Sequence, residues 1–443
     1  MTAHSERARQ WVHIGSGGFA FLLPVLSWPQ AAALAAVALV FNAFVLPHIG
    51  GRRLYRPVDE ARGFPVGIVL YALVVLLLVL AFPSRPDIVG AAWGVLAFGD
   101  GTATLAGQSI GGRQWPWNRE KTLAGTIAFA ICGAAGGMVL AWWIRPAVTP
   151  QPSLLFVLIA PPAAAVAAAL VETIPVRLDD NLSVTITAAA VLLLIDAMTT
   201  DALRAGWPVA RAALPWAVAV NVALAWIARR ARTVSVSGAV IGALIGIVIY
   251  AGAGLGAWTM LFATFAIASA VSRLGIERKV LLGIAEDRGG RRGAGNAVAN
   301  CGVAAVAAIA AIATPYRTAA LLAIVAALSA AGSDTVASEI GKAWGRSTFL
   351  ITTFGRVKPG TPGAMSLEGT AAGIVAALAL ATLGVALGLI PWSLLVIVVV
   401  SATLGAAVES VLGATLEGPG ILNNDLLNFV NTAVAAAVAL ALT

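Results

Sequence analysis

Apolar runs of about 20 residues recur from one end of this chain to the other, and in a bilayer a run of that length closes its backbone hydrogen bonds only as a helix. The runs fall near residues 11–28, 30–48, 65–83, 88–107, 122–144, 153–174, 182–201, 210–228, 236–252, 256–273, 294–313, 317–338, 370–390, 392–416 and 428–443, the first being the weakest. Of the 443 residues 60% are hydrophobic and only 11% charged, whereas a soluble domain carries about 25% charged residues. The expectation is an all-α protein, a polytopic transmembrane helical bundle of about 15 spans.

The charges sort by side. With the N-terminus inside, the alternation of spans leaves 23 of the 28 Lys and Arg residues on the inner face, and only Arg85, Arg145, Arg204, Arg211 and Arg317 outside. Such a split follows the positive-inside rule, and one misplaced span would scramble it. The net charge of +8 is therefore a topology signal and gives no reason to expect nucleic acid. Met1–Gln10 is polar and basic and leads through Gly15-Ser16-Gly17-Gly18 into another apolar run, so no cleaved signal peptide is expected. Cys132 and Cys301 lie in apolar runs and in no C-x-x-C pattern, so neither a disulfide nor a metal site is expected of them. The chain reads as an integral, multi-pass protein of a bacterial-type cell membrane, with its polar motifs facing the cytoplasm.

Those motifs come twice. Gly99-Asp100-Gly101-Thr102-Ala103 is followed by Gly107, Gly111, Lys121 and Gly125-Thr126; Ser333-Asp334-Thr335-Val336-Ala337 is followed by Gly341, Gly345, Lys358 and Gly369-Thr370. From the aspartate to the first glycine is seven residues in both copies, and the next glycine comes four later. Each copy leads to an acid in an apolar run, Glu172 or Glu409, and then to a short cluster, Asp179-Asp180-Asn181 or Asn423-Asn424-Asp425. Spans four to seven match spans twelve to fifteen. The offset is even, so the two related halves are parallel in orientation rather than inverted. The expected domains are 1–205, a connecting helix and basic loop at 206–235, and 236–443.

An acid at the edge of a membrane span is costly and marks a functional site. In the second copy Asp334 and Glu339 stand near the inner end of a span. Lys342, Arg346, Arg356 and Lys358 follow in a Gly- and Pro-rich loop that closes on Ser366, Glu368 and Gly369-Thr370 at a helix start. Carboxylates suit Mg²⁺, Lys and Arg suit phosphate oxygens, and glycine at a helix N-terminus lets backbone N–H groups approach an anion. Together they describe a Mg²⁺–nucleotide or diphosphate site at the membrane surface. The first copy offers Asp100, Arg113, Arg119, Lys121 and Gly125-Thr126 in the same way. Glu172 and Glu409 either ligate metal or pair with nearby bases; Asp179, Asp180 and Asn181, and Asn424 and Asp425, just beyond them favour the site reading. Between Glu277 and Asn296 a Gly- and Arg-rich segment places Arg291 and Arg292 on the same side, as phosphate ligands or as an ordinary inner loop. His13, at the mouth of the first span, is equally an interfacial histidine and a phosphate ligand. Trp115 and Trp117 read as interfacial anchors. Asp196 is given no role. There is no Walker A loop and no protein-kinase signature set.

At these residues the first half resembles the dolichol kinase and phytol kinase family. The matching pieces are Arg9-x-x-x-His13, Gly99-Asp100-Gly101-x-Ala103, Gly107 to Gly111, Pro116 to Lys121, Gly125-Thr126, and Glu172-Thr173-x-Pro175 to Asp180-Asn181. It departs from that family at Gln10, where a basic residue is usual, at Thr104, where phytol kinases often carry an acid, and around Gly111-Gly112-Arg113. The second half resembles the phytyl phosphate kinase, or transmembrane protein 19-like, family. Here the pieces are Gly283-Ile284-Ala285, Gly290-Arg291-Arg292-Gly293, Ser333-Asp334-Thr335-x-x-Ser338-Glu339-x-Gly341-Lys342, Thr352-Thr353-Phe354, Gly360-Thr361-x-Gly363-Ala364-x-Ser366-x-Glu368-Gly369-Thr370, Glu409-Ser410 and Asn423-Asn424-Asp425-x-x-Asn428.

A fusion of two such halves implies an integral-membrane phosphotransferase. It would convert an isoprenoid alcohol, such as phytol or geranylgeraniol, to the monophosphate and then to the diphosphate, with CTP or another nucleoside triphosphate. Asp100, Asp334 and Glu339 are then the catalytic candidates. Mg²⁺ falls to Asp100, Glu172 and Asp180 in one half and to Asp334, Glu409 and Asp425 in the other. Nucleotide phosphates fall to Arg119, Lys121, Gly125 and Thr126, and to Arg291, Arg292, Lys342, Arg356, Lys358, Gly369 and Thr370. His13, Asn181, Asn424 and Glu368 complete the candidate set. Two other classes compete. A CTP-dependent lipid-phosphate cytidylyltransferase shares the general architecture, but its Lys-Asp and Pro-Gly-His-Gly-Gly signature is missing. A transporter suits parallel repeats, but its site would lie near the bilayer midplane, whereas these motifs gather at one face.

Overall fold

The computed structural model describes residues 6–49, 55, 59, 65–174, 179–281, 292–417 and 422–443. Among them, 13 helices are long and apolar enough to cross a membrane, and the protein is an all-α integral membrane protein with many passes. The chain divides into two compact units, Met1–Asp196 and Ala197–Thr443.

The first unit contains α1 (Glu6–Ser16), α2 (Trp28–Val40), α3 (Val66–Ala81), α4 (Pro86–Ile110), α5 (Leu123–Ile144), α6 (Leu154–Glu172) and α7 (Asp180–Ala197). Two of the expected spans take a different form here. The apolar helix α3 has 16 residues, shorter than the rest. The weak first run is no single helix: α1 gives way at Ser16 to a 3₁₀ stretch, Gly17–Leu22. The 11 residues of α1 and six of 3₁₀ nevertheless extend about 28 Å, close to the roughly 30 Å of a hydrocarbon core. At one end Ile14 packs on Gly101, beside the motif aspartate. Toward the other, Trp143 Nε1 donates to Phe21 O at 3.0 Å, and beyond it Trp28 Nε1 donates to Val79 O at 2.8 Å. The segment therefore packs along its unit from Gly101 on α4 to Trp143 on α5.

In this unit α4 is the central helix, with 67% of its apolar window buried, more than any other span of the unit. Small residues let its neighbours come close: a Cβ on Gly94 would stand 2.8 Å from the backbone of Gly136 on α5. The helix widens to a π-turn at Val95–Asp100 and closes again at Gly101. Such bulges are frequent at functional sites, and this one ends on the motif aspartate.

The second unit contains α8 (Thr200–Arg230), α9 (Val236–Ala253), α10 (Leu255–Arg273), α11 (Ile276–Leu281), α12 (Ala294–Ala313), α13 (Arg317–Trp344), α14 (Leu367–Ala386), α15 (Leu395–Leu412) and α16 (Asn424–Ala441). The helix expected as a connector, α8, packs inside this unit, where Asn221 accepts from Trp258 Nε1 at 3.0 Å. The division thus falls at 196/197 rather than near 205. The motif helix is again central: α13 has 72% of its window buried. The loop after it was expected to be irregular but carries a small antiparallel sheet, β1 (Thr348–Leu350), β2 (Arg356–Val357) and β3 (Ala364–Ser366), in the order β2-β1-β3. Thr348 pairs with both Val357 and Ser366. Gly363 turns the chain into β3 at φ +70°, against Ser410 O and Ala414, where a side chain would not fit. The sheet hands Ser366 directly to the start of α14.

Candidate functional site

In each unit the helix after the motif loop begins on a hydroxyl cap. Thr122 Oγ1 accepts the Gly125 N–H at 3.1 Å, and Ser366 Oγ accepts the Gly369 N–H at 3.0 Å. Both glycines then press on the motif helix three residues past the aspartate. A Cβ on Gly125 would stand 2.9 Å from Ala103 O, and one on Gly369 would abut Ala337 O. One step further, Gly107 faces Thr122 Oγ1 and Gly341 faces Ser366 Oγ. The repeat in sequence is therefore a repeat in the way two helices cross. This revises the role expected of Gly125 and Gly369. Their amides are taken by the caps, and their missing side chains serve the crossing rather than an anion. Thr126 holds the loop: its hydroxyl accepts from Trp115 Nε1 at 2.9 Å. Trp117 lies beside Trp115 with ring centroids 4.8 Å apart and donates to Thr173 Oγ1 at 3.3 Å, so the Trp pair is tied into the unit.

The crossing in the first unit brings three acids together. Asp100, Glu172 and Asp180, from the ends of α4's π-turn, α6 and α7, each offer a carboxylate oxygen within 4.8 Å of the others. Lys121 reaches into them, with Nζ 2.5 Å from Glu172 Oε1 and 2.7 Å from Asp180 Oδ2. Burial pulls the Lys121 ammonium down, but Glu172, Asp180 and Asp100 outweigh it and hold the group above its ordinary value, so it stays charged. His13 comes from α1 to put Nε2 3.6 Å from Asp100 Oδ2 and 3.4 Å from Leu96 O. Its ring stands edge-on to Tyr71, whose hydroxyl accepts from Trp93 Nε1 at 2.7 Å. Asn181 plays a structural part, with Nδ2 donating to Gly67 O at 3.1 Å at the start of α3. Arg119 is exposed.

The second unit arranges its acids differently. Asp334 and Glu409 face each other between α13 and α15. Asp425 does not join them in a triad like that of the first unit; it lies against Gly295 at the start of α12, much as Asn181 lies by Gly67. Glu339, 2% exposed, is held by Lys279 and, at 3.1 Å, by Lys342. Lys279 is itself 1% exposed and donates to Ser272 O at 3.2 Å. In the sequence it was one base of a charge run. The signal that singles it out is an acid inside a span, which needs a buried cation. Arg356, Lys358 and Asn424 are exposed. Arg292 pairs its backbone with Thr233 and Ser235 and brings Nη2 within 3.4 Å of Ser272 Oγ. Glu368, in the first turn of α14, keeps Oε2 buried without a hydrogen bond. Arg291 lies outside the described residues.

Residues 219–436 match the family described as integral membrane protein DUF92. The membrane protein sll0875 of Synechocystis sp. is 40% identical over 200 residues, 44% of this chain and 78% of its own length. Protein VTE6, chloroplastic, of Arabidopsis thaliana is 36% identical over 213 residues, 46% of this chain and 64% of its own. Probable phytol kinase 2, chloroplastic, of Glycine max is 36% identical over 132 residues, 28% of this chain and 43% of its own. No solved structure matches.

Proposed function

This chain belongs to the DUF92 family of integral membrane proteins, and from that starting point we propose that it is a membrane phosphotransferase acting on isoprenoid alcohols and their monophosphates. The first unit makes the monophosphate and the second makes the diphosphate, with CTP or another nucleoside triphosphate as donor. The observation that carries the reading is the cluster of Asp100, Glu172 and Asp180 around Lys121 at the end of the central helix. Similarity to proteins named as probable phytol kinases supports it.

Hard carboxylate oxygens this close together are the donor set that suits Mg²⁺. Asp100, Glu172 and Asp180 would hold it in the first unit, and Asp334 and Glu409 in the second. Bound there, it would neutralise phosphate charge. The residues themselves do the rest. Asp100, at the end of the span, meets a hydroxyl whose prenyl chain lies among the helices, and takes its proton as the new O–P bond forms and the bond to the leaving nucleoside diphosphate breaks. His13, beside Asp100, shares that proton. Catalysis of this kind is mostly positioning and charge balance, and the repeated caps and glycine crossings fix the position.

The test supplies purified protein in vesicles with farnesol, geranylgeraniol or phytol and each nucleoside triphosphate in turn. A kinase leaves the nucleoside diphosphate and a lipid phosphate; release of inorganic diphosphate with a CDP-lipid would instead establish a cytidylyltransferase. Asp100→Asn should block the first step and spare diphosphate formation from added monophosphate, and Asp334→Asn should let the monophosphate accumulate. Loss of both steps from either change alone, in folded protein, overturns the division of labour.

A further inference from the structure

We propose that Asn431 binds ligand in the second site, its amide oxygen taking a place beside Asp334 and Glu409 on a divalent cation and its amide nitrogen donating to a phosphate oxygen that the cation carries. The inference rests on the phosphotransferase reading for the phosphate and on the geometry for the residue.

Asn431 lies in α16 and is 1% exposed; it stands beside Glu409, yet no group meets its Oδ1 or its Nδ2 in hydrogen-bonding geometry. A buried amide with both ends unpaired is costly, and a fold keeps one where a ligand completes it. Asn431 faces Glu409, which in turn faces Asp334. Glu409 also keeps Oε2 buried without a hydrogen bond. Three helices thus converge on a knot of oxygen and nitrogen atoms with unmet bonding capacity.

The first unit shows what is missing. Its third acid, Asp180, opens α7. The matching residue, Asn424, opens α16 but is exposed, and Asp425 is turned to Gly295. The third corner therefore comes from two turns further along α16. At that depth the first unit has Thr187, which donates to Ser183 O at 2.8 Å on its own helix. Room is made for the amide by Gly405, one turn before Glu409, where a Cβ would abut Asn431 Oδ1. The first unit has Ala168 there. An amide offers a hard oxygen and two N–H donors on one plane, which is what a cation–phosphate pair presents a need for. An uncharged third ligand also leaves less negative charge in the second site than in the first. That suits an acceptor that is already an anion, a prenyl monophosphate rather than an alcohol.

The experiment uses the full chain in detergent in an Asp100→Asn background, with Asn431→Leu and Asn431→Asp added singly. Thermal melting is followed with chelator, with MgCl₂, and with MgCl₂ and phytyl monophosphate. Asn431→Leu should melt higher than its parent in chelator, because two unpaired polar atoms are gone. It should bind Mg²⁺ at least about tenfold more weakly and lose the further shift from the monophosphate. Asn431→Asp keeps the oxygen and loses the N–H donors, so it should retain the Mg²⁺ shift and lose the monophosphate shift. If Asn431→Leu keeps both shifts, or melts lower than its parent while Asn431→Asp keeps both shifts, the inference is wrong. A chain that shows the expected shifts but transfers no phosphate would leave this site standing and remove the proposed function instead.

Discussion

Replacing Lys121 by Met tests whether this lysine balances the acid cluster or only waits for nucleotide. Its ammonium is the cation that Glu172, 4% exposed, meets in the structure. Removing one partner of a fully buried pair costs about 3–5 kcal/mol. Here Lys121 is 25% exposed and Asp180 is 37% exposed, so water screens part of the interaction. A loss of about 2–3 kcal/mol follows, which for a unit of this size is a fall in Tm of roughly 5–10 °C. Mg²⁺ should reverse it. Without the competing ammonium the three carboxylates bind the ion more tightly, and at a hundredfold excess over Kd the ion contributes about 2.7 kcal/mol. The assay is thermal unfolding of the full chain in detergent, with chelator and across a Mg²⁺ titration. The expected result is a lower Tm than the parent in chelator and a larger rise with Mg²⁺. An unchanged Tm in chelator, or a smaller Mg²⁺ shift than the parent, refutes the charge argument and returns Lys121 to phosphate binding alone.

Lys279→Met should cost less than the roughly 3–5 kcal/mol of an isolated buried pair, about 2–3 kcal/mol, since Glu339 keeps Lys342 at 3.1 Å; adding Glu339→Gln should recover much of that in chemical denaturation. Gly125→Ala and Gly369→Ala should each destabilise by about 1–3 kcal/mol through overpacking at the helix crossing, read as lost thermal stability with no change in Mg²⁺ affinity. Chelation should stop both phosphorylation steps and Mg²⁺ should restore them; full product formation in excess chelator contradicts the reading. A single cysteine at Ser347, with Cys132 and Cys301 replaced, should resist an impermeant thiol reagent in intact cells, and ready labelling from outside would invert the topology.

Charge and hydropathy made the spans legible, because the cost of a misplaced Lys or Arg in a bilayer leaves a pattern across the whole chain. The repeat was legible as spacing, and part of that spacing proved to be helix-crossing geometry: the glycine seven residues after each aspartate faces the cap hydroxyl, and the glycine of each Gly-Thr presses on the backbone of the motif helix. The union of Asp100, Glu172 and Asp180 was expected from the family resemblance and not from spacing alone, since the second copy keeps the spacing while Asp425 stands apart from Asp334 and Glu409. What escaped depends on partners far apart in sequence. Nothing local tells Lys279 from Arg278, its neighbour in α11, yet one is buried on Glu339 and the other is exposed. Nothing local marks Asn431 either, because it is buried against Gly405 on another helix. The sheet at 348–366 escaped because strands of two or three residues leave no periodicity to read.

The 3₁₀ winding of Gly17–Leu22 gives His13 its reach. With three residues to the turn, Gly17, Ala20 and Leu23 all fall on one buried line, while Phe19, Phe21 and Leu22 look outward. Each of the six residues advances about 2.0 Å instead of the 1.5 Å of an α-helix, so the stretch is about 3 Å longer than the same sequence wound as α. Trp28 pins the far end of this segment on Val79. Measured from that pin, an α-wound chain would stop His13 about 3 Å short, and its 3.6 Å approach to Asp100 would become a gap wide enough for water.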